Sequence, residues 1–307
     1  MSGERFLVTG ALGCIGAWTC AALAEEGTPV VAYDLGENTS RLRLATDAEI
    51  PLVRGNITDR DALDRALDEH GITHVVHLAA LLLPQIKADP PYGTAVNVGG
   101  TVNVFDAAKT RGIHVAWASS AAAYSRVDDT GGAVPNDATG HPASFYGVHK
   151  QACEGLARIF WQEEGVPSIG IRPYIVYGPG RDNGMTASPS LAMAAAARGE
   201  DSTIAFGGRT QLQFAPDTGR VFVAAARAAT DGARVFHLGG PAVSLAECAA
   251  EIEAAAGVSV AVDEETILPF PDEFDGAALE DAVGAISWTP LPEGVRRTID
   301  RLRAAQG

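Results

Sequence analysis

The feature that most constrains the fold of this chain is an alternation of short apolar segments with helical ones. The apolar segments are continuous and do not alternate with polar residues, which is typical of parallel strands covered by helices on both faces. They lie at residues 5–10, 29–34, 50–56, 74–80 and 114–120. Strands repeated with helices between them predict an α/β fold with a doubly wound parallel sheet.

The segments between the strands carry helix signals. One helix is predicted at 14–26 and another at 59–70, with Thr58 as its N-cap, and each is followed by a glycine. Further helical sequence runs to about residue 111. Beyond about residue 173 this rhythm loosens. The later chain predicts an alanine-rich helix at about 190–198, a strand at 234–240 that returns to the sheet, and an amphipathic helix at 292–306.

Composition excludes several classes of function. The formal net charge is −15, and the sequence has no basic stripe of the kind that binds nucleic-acid phosphates. No apolar run approaches the roughly 20 residues of a membrane span, and the first residues predict a strand in place of a secretory leader. The four cysteines form no CxxC pair, which favours reduced thiols. We expect a cytoplasmic protein with no metal site, nucleic-acid partner or membrane anchor.

A glycine-rich turn, TGALGCIGAW, follows the first predicted strand and leads into a helix. Three glycines stand at a spacing of three residues: Gly10, Gly13 and Gly16. They let the backbone turn tightly and approach a pyrophosphate at the helix N-terminus. Asp34 ends the second strand, where a carboxylate accepts hydrogen bonds from the adenosine ribose. The pattern predicts a Rossmann-type site that favours NAD, while Arg41 and Arg43 leave NADP as a minor alternative.

A tyrosine and a lysine stand one helical turn apart in the segment SFYGVHK. Tyr146 and Lys150 are four residues apart, so on a helix they share one face. A phenol ordinarily titrates near ~10, and a neighbouring ammonium favours its ionised form. The pair is therefore a candidate for moving a proton at a hydroxyl group.

Taken in order, these motifs resemble the extended short-chain dehydrogenase/reductase superfamily, in its NAD-dependent epimerase/dehydratase branch. The resemblance runs nearly end to end. It rests further on SSAAAY (119–124) and on GNITD (55–59), HLAA (77–80), NVGGT (97–101), RPYIVYGPG (172–180) and ISWTPLPEGVRRTID (286–300).

The resemblance implies an NAD site and a division of the chain. Residues 1–172, with the returning strand near 234–240, are expected to form the NAD-binding domain. Residues 173–307 are expected to form most of a small, partly interleaved C-terminal lobe that binds the substrate. The implied cofactor-binding residues are Gly10, Gly13, Cys14, Ile15, Gly16, Asp34, Asn56, Ile57, Leu78, Ala79, Ala80, Asn97, Tyr146, Lys150 and Tyr174.

The resemblance also implies catalytic roles. Tyr146 is expected to be the general acid/base for a hydroxyl being oxidised, and Lys150 to hold the phenolate and the nicotinamide ribose. Ser120 matches the residue that binds the reacting oxygen, with Ser119 as its less favoured substitute. The chain is thus predicted to be an NAD-dependent dehydrogenase or epimerase.

Departures from the family pattern indicate a small substrate. The segment 121–123 is all alanine where the family's dehydratases carry an acidic pair, which argues against dehydration. Ile175 replaces an asparagine that is usual in nucleotide-sugar enzymes. Gln213 stands in place of the arginine that grips the substrate diphosphate, and Arg181 or Arg209 could compensate.

The leading prediction is oxidation of a hydroxyl on a small sugar, sugar acid, lactone or hydroxy acid. A nucleotide-sugar epimerase with tightly bound NAD is the alternative, and a non-catalytic NAD-binding regulator is a third hypothesis. Four residues are predicted to contact the substrate: Gln85, Ser120, Ser144 and Arg181. His141 and Tyr174 are further candidates.

The resemblance finally implies a homodimer. The helices near 90–111 and 144–163 are expected to pair across a two-fold axis. Phe105, Phe160 and Trp161 are compatible with that contact, although packing within the chain would account for the same residues.

Overall fold

A computed structural model describes residues 3–124 and 133–306. Their strands are β1 (Phe6–Thr9), β2 (Val30–Asp34), β3 (Leu52–Arg54), β4 (His74–His77), β5 (His114–Ala118), β6 (Ser168–Arg172), β7 (Ile175–Tyr177), β8 (Ser202–Ile204), β9 (Arg209–Phe214), β10 (Ala233–His237), β11 (Ala242–Ser244) and β12 (Val260–Val262).

The α-helices of the same residues are α1 (Cys14–Glu25), α2 (Ser40–Ala45), α3 (Arg60–Glu69), α4 (Leu83–Ala88), α5 (Pro90–Thr94), α6 (Gly100–Lys109), α7 (Phe145–Glu164), α8 (Ser188–Ala197), α9 (Ala215–Arg227), α10 (Leu245–Ala256), α11 (Ala277–Val283) and α12 (Leu291–Ala304). A π-helical segment (Ala95–Gly99) precedes α6, and a 3₁₀ turn (Ala121–Ala123) follows β5.

Seven parallel strands form the large sheet in the order β3-β2-β1-β4-β5-β6-β10. Val8 of β1 pairs in register with Ala32 of β2 on one side and with Val76 of β4 on the other. The strand order reverses between β1 and β4, and ligands of such folds bind at the carboxyl ends of the strands near this point. The predicted doubly wound α/β fold is confirmed.

Helices cover both faces of the large sheet, which explains why its strands are continuous apolar runs. One face packs on α1, α2 and α9, with Val8 and Phe222 fully buried. The other face packs on α3, α6 and α7. Phe105 is fully buried there, and its ring lies 5.4 Å from that of Phe160. These two aromatic rings therefore pack against each other within the chain, and the homodimer stays a prediction.

The second half of the chain contributes to two regions. Strands β7, β9 and β11 form a small sheet, which packs with α8, α10 and α12 around Tyr177, Phe206 and Phe214. Helix α9 packs instead along α1, and β10 extends the large sheet beside β6. The predicted boundary near residue 172 stays a prediction.

One local prediction is wrong, and the predicted helical stretch toward residue 111 is confirmed as several consecutive helices. Asp59, and not Thr58, is the N-cap of α3, since its carboxylate accepts a hydrogen bond from the Ala62 N–H at 3.0 Å. The helical sequence toward residue 111 is broken into α4, α5, the π-helical segment and α6. Pro90 begins α5, because proline is tolerated in the first turn of a helix and not in its interior.

Within the described ranges, no helix is both long and apolar enough to cross a bilayer.

Candidate active site

The predicted cofactor residues gather at the carboxyl edge of the large sheet. Gly10 follows β1, Asp34 ends β2, Asn56 lies just past β3, and Leu78 follows β4. Loops at this edge are the usual ligand site of a doubly wound sheet. The strand order therefore brings together residues that are far apart in sequence.

The glycine-rich turn leaves room for a diphosphate at the start of α1. Gly10 has a φ of 69°, and a Cβ there would overlap the backbone of Ala79. A Cβ on Gly16 would overlap the carbonyl oxygen of Gly10. Among the described residues, no side chain caps the N-terminus of α1 at Gly13, and the first turn of α1 holds no acidic residue. The N-terminal amides of α1 can therefore bind an anion, as the diphosphate of NAD requires.

Two predicted members of this turn are Cys14 and Ile15, the first residues of α1. Cys14 lies against the loop after β7, with its Sγ 3.9 Å from the Pro179 carbonyl oxygen. Burial raises the pKa of the Cys14 thiol to about 12. The thiol therefore adds no negative charge next to the site predicted for the diphosphate.

Asp34 is held in place by the glycine-rich turn and by its own loop. Its carboxylate accepts hydrogen bonds from the Leu12 N–H at 3.0 Å and the Gly36 N–H at 2.9 Å. Each carboxylate oxygen has a second lone pair, so the group can still accept a hydrogen bond from a ribose hydroxyl. This arrangement fits the adenosine end of NAD.

Arg41 is engaged elsewhere. Its guanidinium donates to the Asp182 carboxylate through Nε at 3.1 Å and Nη2 at 2.6 Å, and to the Leu12 carbonyl oxygen through Nη1 at 3.1 Å. An arginine that binds a 2′-phosphate would have to leave these partners. This observation favours NAD over NADP.

Further predicted cofactor residues lie just after β3 and β4. The Oδ1 of Asn56 accepts from the Thr58 N–H at 3.0 Å, and Ile57 is buried against Gly100. The Leu78 and Ala79 N–H groups donate to the Thr9 Oγ1 at 3.2 and 3.3 Å. Leu78, Ala79 and Ala80 are each partly exposed.

Asn97 lies beneath the segment that follows β4. Only 2% of its surface is exposed, and its amide both accepts from the Leu81 N–H at 2.7 Å and donates to the Leu81 carbonyl oxygen at 3.0 Å. Asn97 thus orders residues 78–82. Its predicted direct contact with the cofactor stays a prediction.

His77 is buried under the same segment. Its ring nitrogens lie 2.7 Å from the Thr9 Oγ1 and 3.1 Å from the Thr101 Oγ1. Burial, and secondarily the charge of Lys150, lowers the pKa of His77 to about 3. His77 is therefore a neutral link between β1, β4 and α6.

Tyr146 and Lys150 lie on the first turns of α7, which Ser144 caps by accepting from the Gly147 N–H at 3.1 Å. A Cβ on Gly147 would overlap the carbonyl oxygen of Ala122, so glycine allows α7 to lie against the 3₁₀ turn. Lys150 is buried, and its Nζ lies 5.6 Å from the centroid of the Tyr146 ring. The two predicted catalytic groups are thus neighbours.

The structure distinguishes the two candidate serines. Ser119 is 2% exposed, and its hydroxyl donates to the Glu154 carboxylate at 2.5 Å. Ser120 is partly exposed, and its Oγ accepts from the Ala122 N–H at 3.1 Å, which leaves the hydroxyl hydrogen free to be donated. This geometry favours Ser120 as the residue that binds a reacting oxygen.

Two residues near these groups were not singled out from the sequence. Arg172, at the end of β6, donates to both carboxylate oxygens of Glu154, at 2.7 and 2.8 Å. Glu154 lies one helical turn after Lys150. The available signals were a charged residue at the end of β6 and another in the middle of α7. Pairing them requires knowledge of which face of the helix meets which strand end.

The predicted substrate residues occupy different surroundings. Gln85 is exposed on α4, and Ser144 serves as the N-cap of α7. The Tyr174 ring packs edge-to-face against Phe270 and Phe274, with centroids 6.0 and 5.4 Å apart. His141 is exposed.

Arg181 lies in the loop after β7. A Cβ on Gly184 would meet both the Arg181 guanidinium and the Leu82 side chain, so both of these side chains lie close to Gly184. Its Nη2 donates to the Thr186 Oγ1 at 3.0 Å. Its Nε is buried, and within residues 3–124 and 133–306 it has no hydrogen-bond partner.

Comparison with known proteins identifies the family. The model of the NAD dependent epimerase/dehydratase family matches residues 6–239. The chain belongs to this family. The predicted resemblance, the enzyme class and NAD as the family's cofactor are thereby confirmed.

Individual relatives have two kinds of activity in their names. UDP-glucuronate 4-epimerase 2 of Arabidopsis thaliana is 32% identical over 192 residues, which cover 58% of this chain and 43% of the relative. The chain thus spans less than half the length of that relative. A solved partial consensus L-threonine 3-dehydrogenase has a TM-score of 0.85 at 26% identity, covering 98% of this chain and all of its own. MoeE5 in complex with UDP-glucuronic acid and NAD has a TM-score of 0.80 at 27% identity, with coverage of 98% and 100%.

Proposed function

We propose that this protein is an NAD-dependent dehydrogenase that oxidises a hydroxyl of a small sugar, sugar acid, lactone or hydroxy acid. The burial and the hydrogen bonds of Gln213 are the main support for this proposal. This residue is fully buried, its Oε1 accepts from the Tyr174 N–H at 2.7 Å, and its Nε2 donates to the Gly239 carbonyl oxygen at 2.5 Å. The position expected to grip a substrate diphosphate therefore belongs to the interior of the lobe.

The surroundings of Arg181 favour a substrate that carries a carboxylate. Its guanidinium makes no ion pair with any carboxylate of the described residues, in a chain whose net charge is −15. A half-buried guanidinium is best satisfied by an anion that can accept two hydrogen bonds, such as a carboxylate. L-Threonine, the substrate in the name of one solved neighbour, is a small acid that carries a hydroxyl group. A sugar acid or hydroxy acid fits the same requirement.

The mechanism follows from the positions of three side chains. NAD, when bound, supplies the hydride acceptor. Tyr146 as phenolate takes the proton of the substrate hydroxyl, while the Ser120 hydroxyl donates to the reacting oxygen and orients it. The ammonium of Lys150 lies beside the phenol ring and stabilises its charged form. The glycine-rich turn and Asp34, at the carboxyl ends of β1 and β2, would hold the diphosphate and the adenosine ribose of the cofactor.

A nucleotide-sugar epimerase is the second candidate. One relative is named a UDP-glucuronate 4-epimerase, and a solved neighbour is in complex with UDP-glucuronic acid and NAD. An epimerase would use the same three side chains. It differs in needing a grip on the nucleotide diphosphate and in recycling its own NAD. The burial of Gln213 argues against binding of a nucleotide diphosphate at this position. The presence of Ser120, Tyr146 and Lys150 argues against the third hypothesis, a non-catalytic NAD-binding regulator.

We further propose that two copies of the chain associate through α7 and act in the cytoplasm. Phe145, Val148 and Ile159 lie along one side of α7 and are 52%, 50% and 39% exposed. Tyr92 on α5, a neighbouring element, is 40% exposed. An exposed apolar stripe of this kind, at helical spacing, is suited to packing against a helix of a second copy.

The test is NADH formation with added NAD across free aldoses, uronic acids, aldonates and small hydroxy acids. UDP- and dTDP-sugars are assayed in parallel, with the epimers separated by chromatography. We expect NADH to accumulate with a free acid or sugar, and turnover to fall by a factor on the order of 10² in Tyr146→Phe, which keeps the ring and removes only the phenolic oxygen. Interconversion of a nucleotide sugar without net NADH would contradict the proposal and identify an epimerase.

A further inference from the structure

We propose that Glu154 and Arg172 are positioning residues, which hold the catalytic serine and lysine in register and so set turnover without binding substrate or cofactor. This inference rests on the proposed function, because the roles of Ser120 and Lys150 come from it. Its physical basis is a buried ion pair that fastens the catalytic helix to two strand ends.

The end of β5 is bound to α7 at two successive residues. The Lys150 Nζ donates to the Ala118 carbonyl oxygen at 2.6 Å, and the Ser119 hydroxyl donates to the Glu154 Oε1 at 2.5 Å. Lys150 and Glu154 are one helical turn apart, so both bonds come from one face of α7. Ser120 is the next residue of the chain. Its position relative to Tyr146 is therefore fixed by these two contacts.

Arg172 holds Glu154 from the other side. Its Nε and Nη2 donate to the two carboxylate oxygens of Glu154 at 2.7 and 2.8 Å, and its Nη1 donates to the Asn136 carbonyl oxygen at 3.2 Å. Its guanidinium also lies 5.2 Å from the centroid of the Tyr124 ring. The Ser119 N–H donates to the Ile171 carbonyl oxygen at 2.7 Å, next to Arg172. The ends of β5 and β6 thus meet α7 at a single carboxylate.

Stability alone explains this pair poorly. The side chains of Arg172 and Glu154 are only 10% and 15% exposed, so both charges are largely removed from water. Replacing a buried ion pair by apolar residues of similar volume is often neutral or stabilising, whereas the bidentate geometry of the pair allows one relative placement of its elements. The pair is suited to fixing the placement of α7 against β5.

The test compares the wild type with the double variant Glu154→Leu/Arg172→Met, which removes both charges and leaves neither one unpaired. We expect a cooperative thermal transition and an NAD dissociation constant within about threefold of the wild type. We expect kcat to fall about tenfold or more with KM changed less than threefold, because the reacting groups are misplaced while the cofactor site is intact. A folded double variant with kcat within twofold of the wild type would overturn the proposal.

A matched control removes another ion pair of the same helix. Lys109 and Glu164 pair at 2.7 Å near the C-terminal end of α7, where both are more than a third exposed. The variant Lys109→Met/Glu164→Leu should leave kcat unchanged. An equal loss of kcat in this control would show a general effect of altering α7 and would overturn the specific role of Glu154.

A second measurement does not depend on activity. Amide hydrogen exchange of residues 118–124 should become at least tenfold faster in the Glu154/Arg172 double variant, while exchange in α1 stays unchanged. Unchanged exchange in 118–124 would overturn the positioning role even if the substrate were misidentified. Faster exchange in a protein whose wild type oxidises no tested substrate would support the positioning role and reject the proposed function.

Discussion

Asp34 stabilises the fold locally and is also the proposed contact of the adenosine ribose. Its carboxylate is already bonded to the Leu12 and Gly36 amides, so a substitution at this position alters the glycine-rich turn as well as the ribose contact. Asp34→Asn has one acceptor oxygen, so it keeps only one of these two backbone hydrogen bonds, and it loses the negative charge. We expect its NAD affinity to fall roughly tenfold and its discrimination against NADP to weaken, because a charge-assisted hydrogen bond and the repulsion of a 2′-phosphate are both lost.

Adding Asp182→Ala to Asp34→Asn should improve NADP binding further. Asp182 holds the Arg41 guanidinium in a bidentate pair, and releasing it provides a cation for the 2′-phosphate. Fluorescence titration with each cofactor measures both effects. An unchanged ratio of NAD to NADP affinity in Asp34→Asn would remove Asp34 from the adenosine site.

Single residues were predictable from the sequence where a motif carries its own chemistry. Tyr146, Lys150 and the glycines could be proposed as site residues because their spacing indicates which helix face or turn they occupy. The choice of Ser120 over Ser119 could be proposed from the resemblance, and its structural reason lies in Glu154. Arg172 and Glu154 are 18 residues apart, so their contact depends on the packing of α7 on the sheet.

Elements were predictable where burial determines the sequence pattern. The strands of the large sheet were found because both of their faces are covered, and β10 was recognised although it lies far along the chain. Element ends were less predictable. Asp59 and Thr58 are both good helix caps, and only the hydrogen bond to Ala62 decides between them.

His77 connects three elements and makes their association sensitive to acid. The pKa of its imidazole is lowered by burial to about 3, from an ordinary value near 6.5. The contribution of neutral His77 to the stability of the folded state is therefore fully present above about pH 6.5 and is lost as the pH falls toward 3. At pH 5 the loss from His77 is about 2 kcal/mol of unfolding free energy.

Denaturant unfolding at pH 7.5 and pH 5 measures this loss. His77→Asn keeps a donor and an acceptor between Thr9 and Thr101 and removes the titration, so its stability should fall less between the two pH values than that of the wild type. His141→Asn, at an exposed position, is the control and should behave like the wild type. Equal losses in the wild type and in His77→Asn would exclude His77 as the source of acid sensitivity.

At the scale of the whole molecule, the exposed stripe on α7 carries the last prediction. Val148 is half exposed and lies two residues from Tyr146, the proposed general base, on the same helix. Association through this face would bury the outer side of the helix that carries the proposed catalytic pair. Gly155 belongs to the same helix, and a Cβ there would meet nothing within 4 Å. A larger side chain at 155 is therefore harmless to the single chain and would obstruct a second copy.

We expect the wild type, with a chain mass of 31.8 kDa, to have twice that mass in light scattering coupled to size-exclusion chromatography. Val148→Glu/Gly155→Arg should have the mass of one chain and an unchanged circular dichroism spectrum, because a stable dimer of this kind has to bury apolar area that two charged side chains would disrupt. Leu191→Glu makes the same type of change at a 47% exposed residue of α8 and should leave the dimer intact. A wild type with the mass of one chain at micromolar concentration would reject the dimer, and a dimer disrupted by Leu191→Glu alone would move the interface to the lobe.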